Sequence, residues 1–284
     1  MPWAAVIGSP IEHSLSPLIH RELWRHAGIT GWSYQKYEVD EASLLQWMTR
    51  VDDDCVGISI TMPCKKAIIP LLDVVDPQAQ ALSSVNTLIP SGGLFTGFNT
   101  DVFGMSKAIE RSRSRAGLAM GGRALIIGTG ATAASALAAV VSLGFAHVDV
   151  VARGFHKGRV PLDFNRTATN LGVAYTGYDL TIPGTLADCC ARADLVVSTL
   201  PFGTLDPYID ELASMRTGSS YLDVAYSSRD TAGISLCRSR SIPVAYGVEM
   251  LVYQAILQFK LMTGYEADAS SIGSVFALLG ASRS

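Results

Sequence analysis

Short apolar runs alternate with amphipathic stretches through the N-terminal third of the chain, and this alternation predicts a strand–helix order. Ala4-Ala5-Val6-Ile7 reads as a strand. A helix over 17–27 follows, with Ser16 as N-cap, Pro17 in the first helical position and Gly28 as the stop. A second strand is predicted over 34–39. Asp40 reads as the cap of a helix running to Met48, and 56–61, Val-Gly-Ile-Ser-Ile-Thr, reads as an apolar strand. Helices are predicted over 65–72 and 77–83. Residues 85–89 and 94–98 flank Gly92-Gly93, the pattern of a hairpin. Strands and helices in this order imply an α/β domain with a mostly parallel sheet covered on both faces.

A second unit is predicted after the polar segment 111–115. Residues 123–128 form a buried-strand pattern, 131–143 an alanine-rich helix and 147–152 the next strand. Strands over 194–199 and 220–223, with helical connections, complete a doubly wound nucleotide-binding pattern. Two helical stretches, 250–262 and 269–279, have no strand of their own to cover there, so they are expected to return to the first unit. The expected division is 1–103, completed by 246–284, and 104–245.

The 284 residues suffice for two such units, each with its own core. With 49% hydrophobic and 17% charged residues the chain is not a disordered one, and a net charge of −3 argues against binding nucleic acid by phosphate neutralisation. A mean hydropathy of +0.28 raises the question of a membrane. The most apolar stretch, 131–143, is interrupted by Thr132, Ser135 and Ser142 and is too short to span a bilayer. No basic segment followed by an apolar core stands at the N-terminus, so no signal peptide is expected. Five cysteines, an odd number with no CxxC, read as reduced thiols in a cytoplasmic protein rather than metal ligands or disulfides.

Candidate chemistry falls where strands give way to loops. Leu125-Ile126-Ile127 runs into Gly128-Thr129-Gly130-Ala131-Thr132-Ala133. Gly128 allows a tight turn, Gly130 lets backbone approach a pyrophosphate, and the next helix turns its N–H groups toward the anion. The alternative is a purely structural turn. The following strand ends in Ala152-Arg153-Gly154-Phe155-His156-Lys157, where an NAD site usually places an acid. Arg153 and Lys157 suit a 2′-phosphate instead, so NADP is expected, the alternative being a solvated basic loop. In the first unit, Ser14 and Ser16 stand at a helix start that favours an anion such as a carboxylate, although Ser16 alone reads more readily as a cap. Lys65 follows the strand ending at Thr61. A lysine there is suited to proton transfer or to stabilising an alkoxide, and is otherwise a surface charge. Asp101, in Gly97-Phe98-Asn99-Thr100-Asp101, precedes a helix and is a candidate partner or a cap.

Taken together, Gly8-Ser9-Pro10 with His13-Ser14-Leu15-Ser16-Pro17, Thr61-Met62-Pro63-Cys64-Lys65, Val85-Asn86-Thr87-Leu88, Gly97-Phe98-Asn99-Thr100-Asp101 and Gly247-Val248-Glu249-Met250-Leu251-Val252-Tyr253-Gln254 resemble the signatures of shikimate dehydrogenases, in the family's order and over nearly the whole chain. The resemblance implies an N-terminal α/β substrate domain and a Rossmann-type NADP-binding domain with a cleft between them. It also implies an oxidoreductase of the shikimate pathway that reversibly reduces 3-dehydroshikimate to shikimate. Under it, Lys65 and Asp101 are the catalytic pair, and Ser14 and Ser16 bind the substrate carboxylate. Thr61, Asn86, Asn99 and Gln254 surround the ring, and Tyr226 approaches the carboxylate. Gly128, Thr129, Gly130, Ala131, Arg153, Lys157 and Thr199 surround the cofactor, with Gly247 near the nicotinamide. The implied partners are small molecules, without nucleic acid, membrane or metal, acting on a monomer or homodimer.

The departures concern the cofactor. The family's Asn-Arg-Thr is Ala152-Arg153-Gly154 here, Ala131 replaces a common glycine, and Ser228 stands where a proline is frequent after Tyr226, with Thr231 retained. They leave room for a quinate/shikimate dehydrogenase using NAD or both cofactors. A non-catalytic metabolite sensor on the same scaffold is a third reading, which retention of Lys65 with Asp101 disfavours.

Overall fold

A computed structural model describes residues 1–226 and 229–280. They form two compact units, one of Met1–Asp101 and the chain from Val252, the other of Val102–Leu251.

In the first unit the chain runs through β1 (Trp3–Gly8), α1 (Ser16–His26), β2 (Ser33–Glu38), α2 (Leu44–Met48), β3 (Cys55–Ile60), α3 (Cys64–Ala67), β4 (Val74–Val75), α4 (Pro77–Leu82), β5 (Thr87–Ser91) and β6 (Leu94–Phe98). The sheet order is β2-β1-β3-β5-β6-β4, with only β5 opposed to its neighbours. Gly92 and Gly93 both hold positive φ, 59° and 79°, which a two-residue hairpin of the twist-matched type requires. Ile7, Ile58, Ile60, Val85 and Leu88 fill one face of the sheet with Leu44 and Trp47 of α2 and Ile68.

Local chemistry moves several helix starts. Asp40 caps a turn rather than the helix: its carboxylate accepts from the Ser43 N–H at 2.9 Å and the Ser43 hydroxyl at 2.6 Å, and α2 begins only at Leu44. Ser16 is the first residue of α1 and not its cap, because Leu15 already holds the capping position. The Ser14 hydroxyl accepts from the Ser16 N–H at 3.4 Å. The helix expected over 65–72 stops at Ala67 and continues as a 3₁₀ turn, Ile69–Leu71, since Pro70 has no N–H to extend it.

The second unit holds α5 (Asp101–Arg115, from Val102 onward), β7 (Gly122–Ile127), α6 (Ala131–Ser142), β8 (Phe145–Ala152), α7 (Leu162–Asn170), β9 (Thr176–Asp179), α8 (Thr185–Arg192), β10 (Leu195–Ser198), α9 (Ile209–Leu212), β11 (Ser220–Asp223), α10 (Ala232–Ser239) and β12 (Val244–Tyr246). The segment 111–115 is therefore the last turn of α5 and not a linker. All pairings are parallel in the order β12-β11-β10-β7-β8-β9, which reverses direction between β7 and β10. That is the doubly wound Rossmann order, and the reversal is its ligand-binding crevice. Last come α11 (Gly247–Thr263) and α12 (Ala269–Leu278). The chain passes between units after the first residue of α5 and after Leu251 within α11, at 101/102 and 251/252, where the sequence places the boundaries at 103/104 and 245/246. α12 packs on α1, where the Ser274 hydroxyl donates to Glu22. No helix among the described residues is long and apolar enough to cross a membrane. All five cysteines are free and buried.

His20 on α1 is fully buried. Its Nδ1–H donates to the Ser16 carbonyl at 2.9 Å, and its ring stacks on Tyr34 at 4.5 Å. Burial disfavours the imidazolium and holds the pKa at about 4, below its ordinary 6.5. The folded chain thus refuses a proton that the unfolded chain accepts below 6.5. This contribution to stability is whole above that pH and declines as the pH falls toward about 4. The loss is at most about 3 kcal/mol. His20→Phe, which keeps the stack, should flatten the fall in urea-unfolding free energy across this window; an unchanged slope would place the acid sensitivity elsewhere.

Candidate active site

β1 and β3 are parallel neighbours, so the loops leaving them, toward α1 and α3, lie at one end of the sheet. The Ser9 N–H donates to the Met62 carbonyl at 2.9 Å, and a Cβ at Gly8 would stand 2.3 Å from Thr61 Cγ2, so only glycine permits this approach. Ser14 and Thr61 are half-buried here and Ser16 is buried.

Lys65 Nζ meets Asp101 Oδ2 at 2.6 Å, with side-chain exposures of 17% and 7%. Asp101 is the first residue of α5, where the helix N-terminus favours its negative charge. Its other oxygen, Oδ1, accepts from Asn86 Nδ2 at 2.8 Å. The same Nδ2 donates to Thr100 Oγ1 at 2.9 Å, and Asn86 Oδ1 accepts from the Thr100 N–H at 2.8 Å. Asn99 Oδ1 accepts from the Asp101 N–H at 3.0 Å, while its Nδ2 donates to the Ser84 carbonyl at 2.9 Å. Thr100 Oγ1 donates to Gln254 Oε1 at 3.2 Å. Lys65, Asp101, Asn86, Asn99 and Gln254 therefore converge, with Asp101 satisfied on both oxygens. Gln258 also enters the network and sequence reasoning missed it; the available signal was a second glutamine one turn after Gln254, within the apolar middle of α11.

In the second unit Gly128 holds φ +117°, and a Cβ there would stand 2.4 Å from Thr199 Oγ1. The Thr199 hydroxyl and N–H both donate to the Ile127 carbonyl, at 2.8 and 3.0 Å. Its hydroxyl proton is thus used to join β7 to the end of β10. Gly130 precedes α6 with ordinary φ, no side chain caps the helix, and a Cβ at Gly130 would meet nothing within 4 Å. Exposed Ala131 opens the helix, whose first N–H groups are free to hold an anion.

Gly128, Thr129, Arg153 and Gly154 line a cavity of about 450 Å³, with Leu180, Leu200, Thr204 and Tyr208 on its other walls. This set suits a dinucleotide: the turn that leads into an uncapped helix start and one cation line the same cavity. Lys157 does not line it. It sits at φ +56° on an exposed stretch of the 3₁₀ segment Arg153–Gly158, so the expected pair of cations reduces to Arg153 here. Gly154 has a packing reason, since a Cβ would stand 2.8 Å from Pro161 Cγ. At Gly247 a Cβ would stand 2.4 Å from the Val224 carbonyl oxygen. Tyr226 is 43% exposed, and Ser228 lies outside the described residues.

A mixed α/β unit carrying a buried lysine–carboxylate pair and a Rossmann unit with an open helix N-terminus define the class of two-unit dinucleotide-fold proteins. The family model for the shikimate dehydrogenase substrate binding domain matches residues 6–88, and that for the shikimate 5′-dehydrogenase C-terminal domain matches 247–272. A curated relative from Citrifermentans bemidjiense, shikimate dehydrogenase (NADP(+)), is 32% identical over 267 residues, 92% of this chain and 89% of its own. The crystal structure of Mycobacterium tuberculosis shikimate dehydrogenase is 30% identical with a TM-score of 0.85, over 97% of this chain and 100% of that one. Quinate dehydrogenase from Corynebacterium glutamicum, solved with NAD, is 25% identical with a TM-score of 0.81, over 98% and 99%. The chain belongs to the shikimate dehydrogenase family.

The two glycines of the turn separate fold from binding. Gly128→Ala should cost about 1–3 kcal/mol in denaturant unfolding, through overpacking against Thr199. Gly130→Ala should unfold as the parent does while raising the KM for the dinucleotide. Equal destabilisation by both would make the turn structural only.

Proposed function

We propose that this chain catalyses the reversible, NADP-dependent reduction of 3-dehydroshikimate to shikimate, with the substrate on the first unit and the dinucleotide on the second. The observation that carries it is the Lys65–Asp101 contact at 2.6 Å, part-buried and braced by Asn86, in a chain of this family. When bound, the nicotinamide supplies or accepts the hydride. As the substrate carbonyl is reduced, negative charge develops on its oxygen. Lys65 Nζ gives that oxygen a proton, and in the reverse direction takes it back. Asp101 holds the ammonium in place, while Asn86 keeps the carboxylate from rotating. Ser14 and Ser16, at the start of α1, receive the substrate carboxylate, and Thr61, Asn86, Asn99 and Gln254 surround the ring, with Tyr226 a further residue for the carboxylate. The first turn of α6 after Gly128-Thr129-Gly130-Ala131 holds the pyrophosphate, and Arg153 the 2′-phosphate, with Lys157 assisting only if its loop turns inward; Gly247 stands near the nicotinamide. The protein works on small molecules in the cytoplasm, as a monomer or homodimer.

A second reading, use of NAD as well, is favoured by one observation: Ala152 and Gly154 offer Arg153 no polar neighbour in the cavity, and Lys157 lies outside it. A purely sensory protein would have no use for the acid–base pair.

Lys65→Ala should lower kcat by about 10²–10⁴-fold with the KM for shikimate little changed. The assay is NADPH absorbance during shikimate oxidation, with quinate in parallel; near-parental turnover would remove Lys65 from the chemistry. Arg153→Ala should weaken kcat/KM with NADP by about tenfold or more and spare NAD. Equal loss with both cofactors, or a parent that prefers NAD, would refute the 2′-phosphate assignment.

A further inference from the structure

We infer that Gln258 is a positioning residue for Asp101, holding it through Thr87 and Asn86 in a one-way hydrogen-bond chain that begins at Tyr34. The inference rests on the acid–base role proposed for Lys65 and Asp101.

Each link has a direction that proton counting settles. Gln258 Nε2 faces two acceptors, the Asn86 carbonyl at 3.1 Å and Thr87 Oγ1 at 2.9 Å. The carbonyl can only accept, so the amide orientation is fixed and Oε1 points the other way. Oε1 accepts from the Ser59 hydroxyl at 2.8 Å. That uses the one proton of Ser59, so its contact with Tyr34 Oη at 2.6 Å must be a bond donated by the phenol. Thr87, having accepted from Gln258, donates to Asn86 Oδ1 at 2.8 Å. The orientation of Asn86 is fixed by the Thr100 N–H at one end and the Asp101 carboxylate at the other. Tyr34, Ser59, Gln258, Thr87 and Asn86 thus donate in sequence, and the last donor meets the carboxylate beside Lys65.

All of these side chains are buried, from 0% exposed at Tyr34 and Thr87 to 5% at Asp101. Away from water, bonds in such a chain polarise one another, and none can be exchanged for solvent. Its polarity suits the terminus, because every donor adds to the stabilisation of the anion. Gln258 adds a side-chain tie between the β5 entry, through the Asn86 carbonyl and the Thr87 hydroxyl, and Ser59 on β3, beside the ladder bond that the Ile60 N–H donates to the same carbonyl at 2.8 Å. The Thr87 hydroxyl it orients holds Asn86 Oδ1, so that Nδ2 stays turned to Asp101.

Gln258→Met keeps length and volume and loses both polar ends. It should lower kcat for shikimate oxidation by about five- to tenfold, the worth of a hydrogen bond, with the KM for shikimate unchanged within about twofold. Thr87→Val, which cuts the next link, should do the same, and the double variant should lose no more than either alone. Parental kcat in Gln258→Met, or losses that multiply in the double variant, would each overturn the inference. Should Gln258→Met fail to fold, Thr87→Val and Ser59→Ala, which cut the chain on either side of Gln258, are read by the same cycle. A parent without shikimate dehydrogenase activity would refute the functional reading instead, while variants at parental turnover would refute only the role of Gln258.

Discussion

A carboxylate withdrawn from water must be paired on every side, and the first unit is arranged around that requirement at Asp101. One oxygen meets Lys65 and the other Asn86, and the residue sits where a helix start favours negative charge. To deliver those partners, β3, β5 and β6 have to end within reach of one another. The reversed strand β5 makes this possible: it brings Asn86 beside the end of β3, and the hairpin returns the chain to Asn99 and Asp101. The geometry of the hairpin and the chemistry of the pair are therefore one constraint.

The second unit answers a different constraint, close approach of backbone. Where β7 ends, Gly128 leaves no room for a side chain against Thr199, and the helix that follows starts without a cap. A side chain capping α6 would occupy the N–H groups an anion needs. The fold thus leaves a polar terminus unsatisfied at the one place where the sheet reverses order, which is where a doubly wound sheet receives its ligand.

Much of this was legible in the sequence, for physical reasons that differ by element. Buried strands such as β3, β7 and β10 declare themselves by apolar, β-branched runs. β9, Thr-Gly-Tyr-Asp, and the two-residue β4 carry no such run and were invisible. Helix starts at Ser16 and Leu44 shifted because serine and aspartate bond to nearby backbone and can cap a turn as readily as a helix. Lys65 and Asp101 were readable only as members of several coincident motifs, since each alone reads as a surface charge or a cap. Gln258 gave little sign, because an amide on an apolar helix looks like a tolerated polar residue until its partners are seen. Sequence spacing does not report the left-handed backbone at Lys157, which does not line the cavity that holds Arg153.

Gly154 and Pro161 bear on how the cofactor loop could change over generations. Pro161 Cγ occupies the space that a first side-chain carbon at 154 would need, and a proline ring cannot swing aside. A side chain at 154 therefore requires the backbone around Pro161 to shift, and a change at position 161 relieves that cost. The two sites are epistatic, and the order of replacement is set by sterics: drift at 161 first, then a new partner for the adenosine end of the dinucleotide. Sequences that carry a polar residue at the position of Gly154 should be drawn from those in which the proline has been lost or displaced.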